Sequence, residues 1–300
     1  MDLWAVGGGK GGTGKSLVAN GLGLALVERG FKVILVDTDF GGPNQHTYCG
    51  IRRPATSLTQ FFEKRTPLED LIIDTSRAGL RLIPGNINSA NTDGFTWSQK
   101  QKLFRHLRRL EADHVILDLG AGSHFDTLDT FLLANYKVGV LAPDALSVEN
   151  FYLFLKNLKF RLLGNVLSAV GLKDQAREIW KNRAACGITN ASEFIRYLGT
   201  VSSPFFEKMA QEQGKMFFHI ALNQVREFKQ VEMGLAIKSA VQKYFQLDAA
   251  FAGYVRHDKD LWQKVGQDHQ IISGDHSFML HQAMASLVDN ILKNQPQEGL

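Results

Sequence analysis

The chain has 300 residues, of which 44 % are hydrophobic and 21 % charged, and its formal net charge is +4. This composition is typical of a globular protein with one large α/β core, alone or with an insertion. Cys49 and Cys186 form no CxxC pair, which argues against a disulfide framework or a zinc site and fits a reducing cytoplasm. No apolar run reaches the roughly 18–20 residues that span a bilayer, and residues 3–6 lead directly into glycines, unlike a signal peptide.

Predicted strands and helices alternate along most of the chain. Short apolar runs predict strands at residues 3–6, 32–36, 80–83, 114–117, 137–141, 217–222 and 251–255. Helical spacing of apolar residues predicts helices at residues 16–29, 99–110, 148–162, 232–245 and 278–292. The alternation predicts an α/β fold with a doubly wound, mostly parallel sheet and helices on both faces. We expect a single domain over residues 1–300.

One interval breaks this alternation. Residues 164–215 contain no convincing strand but carry helix-start signals at Asn190, with Glu193 three residues later, and at Ser203-Pro204. We therefore predict a helical insertion at the rim of the sheet. Residues 156–215 hold ten Lys and Arg against five Asp and Glu. A solvated helical cap explains this charge most simply, and a surface for a protein partner or DNA is the alternative.

A glycine-rich loop between the first strand and the first helix matches the pattern G-x-x-x-x-G-K-S. Backbone N–H groups of such a loop converge on phosphate oxygens, and the following helix adds its positive N-terminal end. Lys15 is expected to neutralise the β- and γ-phosphates of ATP, and the Ser16 hydroxyl to bind Mg²⁺. The predicted nucleotide-binding residues are Gly9, Lys10, Gly11, Gly12, Thr13, Gly14, Lys15 and Ser16.

A second lysine, Lys10, lies near the start of the loop, close enough for Lys15 to repel it. The sequence K-G-G-T-G-K-S resembles the deviant Walker A motif of the ParA/MinD family of P-loop NTPases, which have the SIMIBI-type fold. The resemblance implies that Lys10 reaches across a face-to-face homodimer to the ATP of a second copy, as an arginine finger does in other NTPases. Dimerisation would then depend on ATP.

Two aspartates, Asp37 and Asp39, follow the second predicted strand in a D-x-D-x-G-x-x-N segment similar to that of the same family. The resemblance implies that Asp39 orients or activates the attacking water and that Asp37 supports the Mg²⁺ shell. Phosphoryl transfer to water needs a proton acceptor beside the metal, which agrees with these roles. Polar capping at the carboxyl edge of the sheet is the alternative role for both residues.

The D-L-G-A-G segment at residues 118–122 ends a run that looks like a Walker B strand, and it resembles the form found in FlhG-type regulators of flagellar number. The resemblance implies that Asp118 holds Mg²⁺ through a water and that Gly122 senses the γ-phosphate. Asn223 follows the predicted strand at 217–222 and looks like the family's asparagine that reads adenine. A simple turn-forming role is the alternative for Asn223.

The C-terminal region departs from the MinD and FlhG pattern. Those proteins typically end in a basic amphipathic helix that lies on the membrane, whereas residues 278–292 are expected to pack on the core and the last half-dozen residues to form a frayed tail. We therefore expect no stable membrane anchor, which weakens the case for membrane targeting and for flagellar regulation.

The motifs, and the resemblance that they carry, imply a cytoplasmic Mg²⁺-ATP-dependent dimerising ATPase. It would hydrolyse ATP slowly until an activating protein partner binds, and would act as a nucleotide switch for spatial positioning, partitioning or regulation of a partner complex. The alternatives within the superfamily are an amide-forming ligase and an Fe–S or metal-carrier ATPase, although the sequence lacks the paired cysteines of such carriers.

Nonspecific DNA is a further candidate partner. Residues 99–109 place five cations on one predicted helix, and the spacing puts Arg105, Arg108 and Arg109 along one side of it. A solvated face is the simpler explanation of this charge.

Overall fold

The computed structural model describes residues 1–85, 97–259 and 278–295. The described strands are β1 (Asp2–Gly7), β2 (Val33–Thr38), β3 (Ile73–Asp74), β4 (Leu80–Ile83), β5 (His114–Leu119), β6 (Tyr136–Leu141), β7 (Phe217–Val225) and β8 (Asp248–Arg256). They form one sheet in the order β3-β4-β2-β5-β1-β6-β7-β8. The short β3, which the sequence did not predict, pairs antiparallel with β4, and the other neighbours are parallel.

Helices cover both faces of this sheet. They are α1 (Lys15–Val27), α2 (Gln45–Tyr48), α3 (Leu58–Glu63), α4 (Trp97–Leu107), α5 (Phe125–Leu133), α6 (Ala145–Ala169), α7 (Lys173–Lys181), α8 (Ala191–Val201), α9 (Ser203–Gly214), α10 (Glu232–Ala240) and α11 (Phe278–Lys293). A π-helical turn, Val241–Phe245, continues α10. The doubly wound, mostly parallel α/β fold is thus confirmed.

The central strands are buried on both faces. Ile34 and Val115 belong to one core, which they share with α3 to α6, and Leu35 and Ile116 belong to the opposite core, which they share with α1 and α11. Successive residues of a strand point to opposite faces, so a strand covered on both sides must be apolar at nearly every position. This explains why the strands read as continuous apolar runs rather than as alternating patterns.

Parallel pairing brings the carboxyl ends of the central strands to one edge of the sheet. In register, Asp118 of β5 lies opposite Val6 of β1 on one side and opposite Asp37 of β2 on the other. The loops that follow these strands therefore meet at this edge, where open α/β sheets bind their ligands.

The segment predicted as an insertion is helical and, within the described residues, contains no strand. Its capping signals are confirmed: the Asn190 side chain accepts a hydrogen bond from the Glu193 N–H, and Ser202 caps α9, which has Pro204 in its first turn. Residues 164–169 continue α6, because buried Val166 and Leu167 extend its apolar face. The division into one domain with an insertion at 164–215 stays a prediction.

The predicted tail falls partly outside the described residues, since residues 296–300 are not among them. Within the described part of the chain, no helix is both long enough and apolar enough to cross a bilayer.

Candidate functional site

The loop between β1 and α1 runs very close to neighbouring elements. A Cβ atom on Gly9 would collide with the backbone carbonyl of Asn150 in α6. Gly14 has φ +84°, in the left-handed region, and a Cβ there would collide with the Asn223 side chain at the end of β7. Glycine is required at both positions, so the loop's shape is fixed by what packs around it.

Lys15 is buried at the start of α1, and its ammonium donates to the Lys10 carbonyl at 3.1 Å. Burial lowers the pKa of Lys15, and the charges of Asp118 and Asp39 act in the opposite direction. A buried ammonium at the N-terminal end of a helix gains stability from any anion placed beside it. The β- and γ-phosphates of a nucleotide are anions of this kind.

Asp118 is buried at the end of β5, and its two carboxylate oxygens differ. Oδ2 accepts a hydrogen bond from Gln45 Nε2 at 2.9 Å, and the same Gln45 amide donates to the Ser16 carbonyl at 2.8 Å. Oδ1 is buried and has no hydrogen-bond partner among the described residues. Burial raises the pKa of Asp118 to about 6, although Ser16, Gln45 and the Lys15 charge offset part of the effect.

These residues fit a magnesium ion. The unpartnered carboxylate oxygen of Asp118 and the Ser16 hydroxyl are hard oxygen ligands, which Mg²⁺ prefers. In the described ranges no cluster of three or more His, Cys, Asp or Glu side chains could hold a metal alone. The ion would therefore be held by Ser16 and Asp118 together with phosphate oxygens and water, as is usual for Mg²⁺ at nucleotides.

Asp37 organises the loop after β2. Its Oδ1 accepts the Asp39 N–H at 3.1 Å, and its Oδ2 accepts the N–H groups of Asn44 at 2.8 Å and Gln45 at 3.0 Å. Burial, reinforced by Asp118, raises the pKa of Asp37 to about 8. This is the capping geometry that the sequence left open as an alternative, and a role of Asp37 in the Mg²⁺ shell stays a prediction.

Asp39 lies at the mouth of the site and is only partly buried. Its Oδ1 accepts the N–H groups of Gly41 and Gly42, each at 3.1 Å. A Cβ on Gly120 would lie 3.1 Å from the same oxygen, so the loop after β2 adjoins the segment after β5. Asp39 and His124 line a shared cavity of about 530 Å³, which leaves space for a water beside the Asp39 carboxylate.

Lys10 forms an ion pair within its own chain. Its ammonium lies 3.5 Å from Oδ1 of Asp144, and that same oxygen accepts the Ser147 N–H at 2.9 Å as the N-cap of α6. The Lys10 side chain is about one-third exposed. The predicted reach of Lys10 to a second copy stays a prediction, and it requires this contact to break.

Two side chains at the end of β7 hold the glycine-rich loop. Asn223 Nδ2 donates to the Thr13 carbonyl at 2.9 Å, and Gln224 Nε2 donates to the Gly12 carbonyl at 2.7 Å. Gln224 has φ +62°, a conformation that is strained for a non-glycine residue and common at functional sites. Adenine reading by Asn223 stays a prediction.

Sequence reasoning missed Gln45, His124 and Gln224 at this edge of the sheet. Gln45 directly follows the D-x-D-x-G-x-x-N segment and Gln224 directly follows Asn223, so a polar side chain beside a motif is the signal that could have found them. His124 follows the D-L-G-A-G segment by two residues and carries no periodic signal.

Comparison with known proteins agrees with this geometry. The model of the CobQ/CobB/MinD/ParA nucleotide-binding domain matches residues 4–271. The antiactivator FleN of Pseudomonas aeruginosa is 25 % identical over 256 residues, covering 81 % of this chain and 86 % of FleN. The flagellum site-determining protein YlxH of Helicobacter pylori is 25 % identical over 224 residues, covering 73 % and 76 % of the two chains.

A solved structure carries the same fold. The septum site-determining protein MinD of Pyrococcus horikoshii, complexed with Mg-ADP, superposes with a TM-score of 0.60 at 18 % identity, covering 99 % of both chains. Because the family model spans most of the chain, the protein belongs to the CobQ/CobB/MinD/ParA family of nucleotide-binding domains, and its relatives fit the MinD/FlhG branch.

Proposed function

We propose that this protein is a Mg²⁺-ATP-dependent dimerising ATPase that acts as a nucleotide switch for positioning, partitioning or regulating a partner complex. The observation that carries the proposal is the meeting of Lys15, Asp118 and Asp39 at one edge of the sheet, with Lys10 at the mouth of the same site. The names of the relatives, an antiactivator and a site-determining protein, support a regulatory role over a metabolic one.

Each site residue has a distinct task in this proposal. Lys15 and the loop's N–H groups neutralise the β- and γ-phosphates, while Ser16 and Asp118 hold Mg²⁺, which withdraws charge from the phosphate oxygens. Asp39 orients the attacking water and accepts its proton. Lys10 leaves Asp144 and contacts the nucleotide of a second copy, so that dimerisation follows ATP binding.

An activating protein partner is part of the proposal. Asp39 is held by two backbone N–H groups on a loop that is partly open to solvent, so a partner that orders this loop would speed hydrolysis. A cytoplasmic location is part of the same proposal.

The Fe–S carrier alternative has little support from the described cysteines. Burial raises the pKa of the Cys49 thiol to about 12, which disfavours the thiolate that a cluster needs. Cys186 lies in the turn after α7, and neither cysteine forms a disulfide. An amide-forming ligase stays the alternative that needs a direct test.

Phosphate release from Mg-ATP by the purified protein tests the ATPase proposal. We expect slow release without any second substrate, abolished by Lys15→Ala. A ligase would release phosphate only when a carboxylic acid and an amine are supplied. The ATPase proposal is contradicted if phosphate is released only with those substrates, or if none is released with or without them.

DNA binding by the ATP-bound dimer is a second candidate, favoured by one observation. Arg105, Arg108 and Arg109 are exposed on α4 and the turn after it, and none of their side chains has a hydrogen-bond or ion-pair partner among the described residues. Binding to a random duplex should require ATP and should weaken steeply as salt rises, because each neutralised phosphate releases counterions. Equal DNA affinity with and without ATP would contradict this candidate function.

A further inference from the structure

A second cavity, which shares no lining residue with the glycine-rich loop, lies among α5, α6, α7 and α9. Its volume is about 670 Å³, within the usual range for ligand pockets. We call it the α5–α9 pocket. Leu132, Leu162 and Met216 contribute an apolar wall, and Leu133, 37 % exposed, adds an apolar edge. The helices that the sequence predicted as an insertion supply one side of it.

Positive charge exceeds negative charge in this pocket. Its lining includes the cations Arg161, Lys173, Lys208 and Lys215, but only the two acids Asp129 and Glu212. Lys208 and Lys215 both contact the same Glu212 oxygen, each at 3.0 Å. One carboxylate shared by two ammonium groups leaves part of their charge uncompensated.

The Arg161 guanidinium is held in one orientation, and one of its three nitrogens donates no hydrogen bond to a described residue. Asp129, buried on α5, takes two of its nitrogens: Nε donates to Oδ1 at 2.6 Å and Nη2 to Oδ2 at 2.7 Å. Nη1 has no hydrogen-bond acceptor among the described residues, although the Asp126 charge also acts on Arg161, and Lys173 has no ion-pair or hydrogen-bond partner there. A guanidinium held rigid by one carboxylate can bind a second one at low entropic cost.

We propose that the α5–α9 pocket binds an acidic segment of a partner protein. A carboxylate of the segment contacts Arg161 and Lys173, a second contacts Lys208, and an apolar side chain between them covers Leu132 and Met216. An inorganic anion could use the charges but would leave the apolar wall exposed. The combination of surplus positive charge with an apolar wall therefore favours a peptide that carries both kinds of side chain.

The pocket is connected to the nucleotide site through Arg161 and α5. The Arg161 guanidinium lies over the ring of Phe125, the first residue of α5, at 4.8 Å. Phe125 directly follows the 118–124 segment that adjoins Asp39. A partner carboxylate bound to Arg161 would therefore be linked, through Phe125, to the start of α5 and to that segment. This coupling rests on the proposed ATPase function, whereas binding to the pocket does not.

Fluorescence anisotropy with a fluorescein-labelled peptide of alternating glutamate and leucine, without nucleotide, tests the binding. Lys173→Glu/Lys208→Glu should weaken the affinity by about tenfold or more, equivalent to at least about 1.4 kcal/mol. The matched control is Arg177→Glu/Lys181→Glu, which makes the same charge change on exposed α7 residues that do not line the pocket. Its affinity should stay within about threefold of the unmodified protein.

The proposal is overturned if the peptide does not bind, if both double variants lose affinity equally, or if a glutamine version of the peptide binds as well. Because nucleotide is absent, these outcomes do not depend on ATPase activity. Addition of the peptide to the phosphate-release assay then tests the coupling separately.

Discussion

Single charged residues decide the chemistry of the site, and Lys15 is the most direct to test. Lys15→Ala should abolish nucleotide binding, because the β- and γ-phosphates lose the one buried ammonium among the described residues of the loop. Binding of a fluorescent ATP analogue by titration would measure this. Lys64→Ala, at an exposed lysine outside the site, is the control and should bind as the unmodified protein does. Normal binding by Lys15→Ala would show that the nucleotide lies elsewhere.

The ionised Asp118 carboxylate should lower the free energy of unfolding when no metal is bound. Its folded-state pKa, about 6, lies above its usual value of 3.8, so the ionised form is penalised in the folded state and stability from this group falls as pH rises through that interval. Asp118→Asn removes the charge and keeps an acceptor for Gln45. We expect it to raise the free energy of unfolding at pH 8 by up to about 3 kcal/mol without Mg²⁺.

Urea denaturation with and without Mg-ADP measures this effect. Ligand should stabilise the unmodified protein more than Asp118→Asn, because the cation that Asp118 would hold is bound more weakly in the variant. Equal stabilisation of both proteins would mean that Asp118 does not hold Mg²⁺.

The contact between Lys10 and Asp144 should hold back dimerisation. Asp144→Asn keeps an N-cap for α6, since asparagine caps as well as aspartate, but removes the charge that pairs with Lys10. Because both side chains are partly exposed, the pair contributes about 0–1 kcal/mol. Asp144→Asn should therefore lower the dimer dissociation constant with ATP by a few-fold in sedimentation velocity. Weaker dimerisation would imply that Asp144 itself contacts the second copy.

At the scale of elements, patterns in the sequence predicted the central strands because burial on both faces makes them continuous apolar runs. They could not predict β3, because its two residues are too few to form a pattern and its strand character comes from pairing with Arg81 and Leu82 of β4. The end of α6 was placed too early, because Gly164 and Asn165 interrupt an apolar face that packing then continues to Ala169.

Site residues that belong to a sequence motif could be predicted from the sequence. Residues whose role depends on contacts with other loops were harder to predict. Lys15 and Ser16 follow from the glycine pattern alone. Asp37 accepts a hydrogen bond from the Asn44 N–H, and Gln224 donates one to the Gly12 carbonyl. Both contacts depend on how the loops are arranged in the folded protein.

The β6–β7 pair contains a histidine that should make the fold acid-sensitive. His219 is fully buried, and burial lowers its pKa from 6.5 to about 4; the Lys137 backbone opposes this shift and the Lys137 charge adds to it. A depressed folded-state pKa gives stability that is present above pH 6.5 and lost as pH falls toward 4. This residue should account for a loss of about 3 kcal/mol over that interval.

His219→Leu should remove this part of the acid dependence in urea denaturation at pH 7 and pH 4.5. The exposed His124, changed to leucine, is the matched control and should keep the acid dependence of the unmodified protein. An unchanged dependence in His219→Leu would show that other groups set the acid limit.

At the scale of the whole molecule, the central claim is that ATP converts this protein from one copy to two. Asp39→Ala should bind ATP, fail to hydrolyse it and accumulate as a dimer, because Asp39 acts on the water and not on the phosphates. Adding Lys10→Ala should return it to a monomer that still binds ATP. The pair of variants separates nucleotide binding from dimerisation.

Light scattering on a size-exclusion column, with Asp39→Ala in Mg-ATP or Mg-ADP, tests this claim most directly. We expect twice the mass of a single chain with ATP, a single-chain mass with ADP, and a single-chain mass for Lys10→Ala/Asp39→Ala with either nucleotide. A single-chain mass for Asp39→Ala saturated with ATP would contradict it.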